Sequence, residues 1–285
     1  MKRFIKKTLF FPIGLIILYA IIYFCYNAYL NNKFNDQNAV FVWGDSQAYY
    51  GIDVKELSNT LEKKVYTSAI PGAGIYDFLL FTEQVPENSE VIVSVSKLVQ
   101  IRRKENDFNR TGLSFWALKK MYNEDYSINE IYSIIKLNIK PKRNISETSE
   151  LFAYSDSMEI GLPISHFEDY YREVPTFLEQ KQDLYLTGIE NLIRKNCKVS
   201  FLELPYHSKL VNIESQSLIK KETDEFKYKI GNLFNDFKMD TISLTKDKNV
   251  FKDLSHLNSV GAKDLSNKLG TQMLVNEGTN MYTAQ

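Results

Sequence analysis

Short uninterrupted apolar runs, each closed by a polar or glycine-bearing turn, recur along the chain and set its expected architecture. Ala39 to Trp43 ends at Gly44, VYTSAI (65–70) ends at Pro71-Gly72-Ala73-Gly74, VIVSVS (91–96) ends at Lys97, and CKVSFLELP (197–205) leads into Tyr206-His207. Runs of this length without period-two alternation predict strands buried on both faces. MDTISL (239–244) is a weaker fifth. Between the runs, apolar positions widen to helical spacing. They do so at Ile52, Val54, Leu57 and Leu61 within 50–62, over Asp77 to Glu83, and at Val260, Leu265, Leu269 and Leu274 within Ser259 to Leu274. Asn258 stands where the last of these helices needs its N-cap. Strands alternating with helices predict an α/β domain on a mostly parallel five-stranded sheet. In such sheets the functional crevice lies beyond the carboxyl ends of the strands. Residues 44–46, 71–74, 96–97 and 205–207 are therefore expected to converge.

Two stretches break this rhythm. Residues 8–30, TLFFPIGLIILYAIIYFCYNAYL, carry no charge and follow Lys2, Arg3, Lys6 and Lys7. A membrane span needs about 20 predominantly apolar residues, and flanking lysine and arginine stay on the cytoplasmic side. A cleaved signal peptide would have a shorter apolar core and end in small residues, whereas this run closes on Cys25-Tyr26-Asn27-Ala28-Tyr29. The expected organisation is a cytoplasmic tail (1–7), a retained single-pass anchor (8–30), a polar tether (31–37) and an extracytoplasmic domain (38–285). Pro12 is tolerable in a membrane helix. The second break, at about 101–175, is rich in Asn, Lys, Glu and aromatics. It predicts helices around Ser114 to Met121 and Ile128 to Leu137 and no strong strand. It reads as an insertion, either a lid over the crevice or a surface excursion.

Composition narrows the function classes. With 35 Lys plus Arg against 35 Asp plus Glu, the chain has no basic excess for nucleic acid. A hydrophobic content of 44%, with 18 Tyr and 18 Phe, provides for a large packed core. Cys25 lies in the apolar run and Cys197 in the domain, so they are not expected to pair. No zinc spacing occurs, and neither metal nor cofactor is expected.

The chain has three histidines, at 166, 207 and 256. His256 follows Asp253 by three residues in DLSHLNSVGA, just before the last predicted helix. A serine hydroxyl is a poor nucleophile until an imidazole takes its proton, and the imidazole works better when a carboxylate holds its other nitrogen. An Asp-x-x-His turn supplies that pair from one short segment. Ser46, in FVWGDSQAYYGID after the first strand, is the candidate nucleophile. Taken singly, Gly-Asp-Ser is an ordinary turn and Asp253 and Ser255 are ordinary turn or capping residues. His166 has Glu168 and Asp169 nearby but lies in the irregular stretch. His207, at the end of strand four, reads as a surface histidine before a crevice-lining one, and Arg102, Arg103 and Lys104 as a solvated face before an anionic-glycan site. Tyr49 and Tyr50 suit core packing and sugar stacking equally.

Gly44-Asp45-Ser46 after the first strand, a glycine loop after the second and Asp253-x-x-His256 before the C-terminal helix resemble the GDSL/SGNH hydrolase superfamily. An anchor followed by WGDSQAYYGID and DLSHLNSVGA is similar, more narrowly, to membrane-anchored SGNH-like O-acetyltransferases of surface polysaccharides. The resemblance implies a three-layer, flavodoxin-like sandwich, Ser46 as nucleophile, His256 as base and Asp253 as its orienting carboxylate. It implies an oxyanion hole from the Ser46 and Gly72 N–H groups, with Gly74 as the fallback. The family's oxyanion asparagine after the third strand is replaced by Val95-Ser96-Lys97, which leaves the Ser96 hydroxyl, the Lys97 charge or no third donor at all. The implied function is acyl, above all acetyl, transfer to a cell-surface glycan, served by a multi-span membrane partner that exports acyl groups. The alternatives are an esterase or deacetylase of the same fold and a catalytically weak accessory subunit.

Overall fold

The computed structural model describes residues 38–94, 178–207 and 250–282, with isolated positions between 13 and 36 and at 224, 228–231 and 239–241. The chain divides into two units, Met1–Gln37 and Asn38–Gln285. In the first, the described positions between 13 and 29 are helical. Among the described residues no helix is long and apolar enough to cross a membrane; the anchor expected over 8–30 runs through residues outside the description. The insertion expected at 101–175, His166, Arg102, Arg103, Lys104, and Ser96 with Lys97 also lie outside the described residues.

The second unit is an α/β domain. Its elements run β1 (Val40–Trp43), α1 (Ser46–Gly51), α2 (Val54–Leu61), β2 (Val65–Thr67), α3 (Ile75–Gln84), β3 (Glu90–Ser94), α4 (Leu178–Arg194), β4 (Lys198–Glu203), β5 (Met239–Thr241) and α5 (Ser259–Tyr282). The sheet order is β2-β1-β3-β4-β5, and every pairing is parallel, with Val40 opposite Val65 and Glu90, Glu90 opposite Lys198, and Phe201 opposite Met239. This is the order of flavodoxin-like sheets, in which the chain reverses direction across the sheet beside its first strand.

β1 is apolar without interruption because both of its faces are covered. Val40 and Val42 join a cluster with Leu57 and Leu61 of α2 and Leu265, Leu269 and Met273 of α5. On the opposite face, Trp43 packs 4.6 Å from Phe78 of α3 and 5.7 Å from Tyr185 of α4, measured between ring centroids. Helices on both faces make three layers.

α2 begins at Asp53, whose Oδ1 accepts the N–H groups of Lys55 and Glu56 at 3.0 Å. Ser266 of α5 donates no side-chain bond there but accepts the Asp53 N–H on its Oγ at 2.8 Å. That contact shows how close the two helices lie. It also corrects the apolar face expected for α5: Ala262, Leu265, Ser266, Leu269 and Met273 are buried, while Val260 and Leu274 are 53% and 42% exposed. Gly270 marks a close approach to α2, since a Cβ there would stand 2.7 Å from Thr60 Cγ2 and 2.9 Å from Thr60 Cβ. α4 was not foreseen from the sequence, although Tyr185, Ile189 and Leu192 give it a buried stripe at helical spacing.

Gly44 closes β1 for a steric reason. A Cβ there would stand 2.3 Å from the Ala48 Cβ and 2.9 Å from the Ser94 Cβ. Gly44→Ala is therefore expected to destabilise the domain by about 1 to 3 kcal/mol through overpacking, read as a lowered denaturation midpoint with unchanged slope. A midpoint equal to wild type would show that α1 yields without cost.

Candidate active site

The segment after β1 is built as a strand–turn–helix. Asp45 is fully buried, its Oδ1 accepts the Gln47 N–H at 2.9 Å and its carbonyl accepts the Tyr49 N–H at 2.9 Å. Asp45 thus caps α1 and fixes Ser46 as the helix's first residue. A serine presented between a strand and a helix is the arrangement that exposes a nucleophile above a parallel sheet. Ser46 is half-buried. The neighbouring strand end joins it, since the Ile70 N–H donates to the Gly44 carbonyl at 3.1 Å.

The other half is a closed loop. Phe251 and Leu257 form an isolated antiparallel bridge, the Lys252 N–H donates to the His256 carbonyl at 2.9 Å, and the Asn258 N–H donates to the Val250 carbonyl at 3.1 Å. Asn258 then caps α5 as expected, its Oδ1 accepting the Gly261 N–H at 2.9 Å. Inside the loop, Asp253 Oδ1 accepts the backbone N–H groups of Ser255 at 2.8 Å and His256 at 2.9 Å, and the Ser255 hydroxyl at 3.1 Å. His256 Nδ1 lies 2.9 Å from Asp253 Oδ1 and 2.8 Å from Oδ2.

A nitrogen facing two carboxylate oxygens carries the proton. The assigned tautomer is therefore Nδ1–H, leaving the lone pair on Nε2. That Nε2 is buried and, among the described residues, has no hydrogen-bond partner. Tyr50 of α1 holds the ring from the side, edge-on at 4.9 Å between centroids, and Lys252 Nζ lies 4.5 Å over the Tyr50 ring.

Burial raises the Asp253 pKa, but the hydrogen bond and charge of His256 and the two bonds from Ser255 outweigh it, so the carboxyl titrates below its ordinary value. A depressed carboxylate stabilises the fold above its unfolded pKa, about 3.9, and that stabilisation disappears as pH falls through the lower native value. Wild type should accordingly melt above Asp253→Asn at neutral pH, and the gap should close below about pH 4. A gap independent of pH would mean that the charge of Asp253 does not matter to the loop.

The two halves meet through the residue after Ser46. Gln47 Nε2 donates to the Ser255 carbonyl at 3.2 Å, joining positions 208 residues apart. The structure thus brings the segments of Ser46, Asp253 and His256 together. It forms the Asp253–His256 bond and no hydrogen bond from Ser46 to the imidazole.

No family model and no curated protein matches this sequence. Among solved structures, one match is the crystal structure of a putative acylhydrolase from Bacteroides fragilis, 13% identical, with a TM-score of 0.39, covering 85% of this chain and 88% of that one. The chemistry of this chain stands on its own residues.

Of the two glycines considered for the oxyanion, Gly72 has φ 84°, a backbone conformation that favours glycine. Gly74 is the N-cap of α3, and its N–H is taken by Asp77 Oδ2 at 2.7 Å. The fallback role is therefore closed to Gly74. His207 corrects a second expectation. It is 6% exposed, stacks edge-on against Phe251 at 5.5 Å and donates its N–H to the Leu254 carbonyl at 3.1 Å. It supports the Asp253–His256 loop from below rather than lying on the surface. Tyr49 and Tyr50 meet edge to face at 5.2 Å, half-buried. Cys25 and Cys197 are both free. Among the described residues no group of His, Cys, Asp or Glu is arranged to hold a metal ion.

Proposed function

We propose that the domain carries out serine-dependent acyl transfer through an ester on Ser46, with His256 as general base and Asp253 as its orienting carboxylate. The observation that carries this reading is the state of His256: Nδ1 is committed to Asp253 and Nε2 is a buried acceptor with no partner among the described residues, in a loop bonded to the residue following Ser46. In the first half-reaction Ser46 Oγ attacks the donor's carbonyl carbon as its proton passes to Nε2. The tetrahedral oxyanion is stabilised by the N–H groups of Ser46 and Gly72. It collapses as His256 returns the proton to the departing group. In the second, an acceptor hydroxyl gives its proton to Nε2 as its oxygen attacks the acyl carbon, and on collapse His256 passes that proton to Ser46 Oγ, restoring the serine and the neutral imidazole.

The acceptor in this reading is a hydroxyl of an extracytoplasmic glycan and the acyl group is acetyl. The proposed membrane anchor, formed by residues 8–30, would keep the domain beside a multi-span partner that delivers acyl groups. Hydrolysis is the same chemistry with water as the acceptor.

The test is fluorophosphonate labelling of the full-length chain followed by peptide mapping. Modification is expected at Ser46 and nowhere else; folded protein that takes no label would instead favour a non-catalytic accessory role. Adding an acetyl ester donor with and without an oligosaccharide then separates the acceptors, because transfer requires the sugar to gain what water loses. Release of acetate that no sugar diverts would assign the esterase reaction.

A further inference from the structure

Gln47 is a polar side chain with 3% exposure, sitting between the serine and the histidine loop. Burying a carboxamide is costly unless its donor and acceptor groups are bonded. Both of its ends are engaged: Nε2 donates to the Ser255 carbonyl at 3.2 Å, and Oε1 accepts the Tyr206 hydroxyl at 3.0 Å. Its backbone N–H is held by Asp45 Oδ1 at 2.9 Å. The amide cannot flip, because Oε1 in place of Nε2 would set two acceptors face to face at Ser255.

Each of these partners belongs to a different part of the site. Asp45 caps the helix that presents Ser46, Ser255 immediately precedes His256, and Tyr206 follows β4. The next residue, His207, bonds the loop again through Leu254 at 3.1 Å. The Asp253–His256 geometry is set locally within four residues. By contrast, the separation between that pair and Ser46 depends on bonds that cross the fold. A misplacement of about 1 Å between reacting groups costs on the order of 100-fold in rate.

We propose that Gln47 is a positioning residue that sets the distance and approach of His256 Nε2 to Ser46 Oγ, with Tyr206 holding its amide in register. Its catalytic consequence rests on the acyl-transfer reading of Ser46. Gln47 touches no reacting atom in this role; it acts through the backbone on either side of it, fixing residue 46 from one end and residue 255 from the other.

The experiment is a double-mutant cycle on the full-length chain, reading the second-order rate of fluorophosphonate modification of Ser46. Gln47→Ala is expected to slow wild type by about 100-fold and to add no further loss in a His256→Ala background, since no base then remains to be positioned. An unchanged rate in Gln47→Ala overturns the proposal. So does an equal loss in both backgrounds, which marks a general effect on the fold. Tyr206→Phe, which deletes one hydroxyl, gives a second route if Gln47→Ala fails to fold: several-fold slower labelling, confined to the background that keeps His256, supports the proposal, and no slowing overturns it. Deuterium uptake of residues 251–257 separates this inference from the reading beneath it. If wild type takes no label, acyl transfer fails, and Gln47 is judged on uptake alone. Faster exchange in that segment of Gln47→Ala upholds its docking role, and unchanged exchange overturns it.

Discussion

Replacing His256 with alanine is expected to slow acyl-ester turnover at Ser46 by on the order of 10⁶-fold, the loss seen when a serine–histidine machinery loses its base. The reason lies in what remains. Without Nε2, Ser46 Oγ must surrender its proton to water as it attacks, and the departing group must leave without a proton donor. In the proposed mechanism the Ser46 and Gly72 N–H groups still act on the oxyanion, so a residual rate above that in water persists. The fold should survive, because the loop is closed by backbone bonds from Lys252 and Asn258 and by the Phe251–Leu257 bridge, none of which uses the imidazole. Steady-state hydrolysis of an acetyl ester, beside a melting curve, checks both statements. A variant that melts like wild type and turns over at more than about a tenth of its rate, a barrier difference of only about 1.4 kcal/mol, would remove His256 from the reaction.

Asp253→Asn is expected to cost about 10⁴-fold. The shape of the side chain is kept, so the acceptor oxygen can still receive the N–H groups of Ser255 and His256, bonds of 2.8 and 2.9 Å in the native loop. The change falls on the imidazole. An amide NH₂ facing Nδ1 is a donor and favours the tautomer with its proton on Nε2, the nitrogen that must be free to receive one from Ser46. An asparagine that instead turned its oxygen to Nδ1 would have to present its NH₂ to the loop's N–H groups. Rates measured beside Asp253→Ala separate tautomer from scaffold, because alanine removes the acceptor that shapes the loop as well. Asparagine should retain the wild-type chain fold and lose the rate; alanine should lose both. Full activity in Asp253→Asn would leave the carboxylate with a purely architectural role.

The parts of the fold written in continuous apolar runs were legible in the sequence. VFVW and VIV read as strands because both faces are buried, and 65–67 and 198–203 fall within the runs expected around them. A helix resting on small or polar contacts was not. Ser46–Gly51, SQAYYG, has no apolar stripe and owes its start to the Asp45 cap. α5 itself was legible, and Leu265 and Leu269 are buried as its spacing requires, but Ala262 and Ser266 are buried where Val260 and Leu274 are exposed. The carboxylate–imidazole pair was visible because three residues separate its members. Gln47 was not visible, since nothing local in GDSQAYY indicates bonds to positions 206 and 255. Its burial, unusual for a carboxamide, acquires meaning once the partners are known.

The bond between Gln47 and Ser255 spans 208 positions of the chain, and that separation is also an interval of time. At the roughly 5 to 20 residues per second of protein synthesis, Ser46 emerges about 10 to 40 seconds before His256. Through that interval the hydroxyl is an ordinary alcohol, unable to attack the esters it meets. In the proposed mechanism reactivity arrives only with the loop that carries Asp253 and His256, and the serine stays inert until that loop has been made and docked.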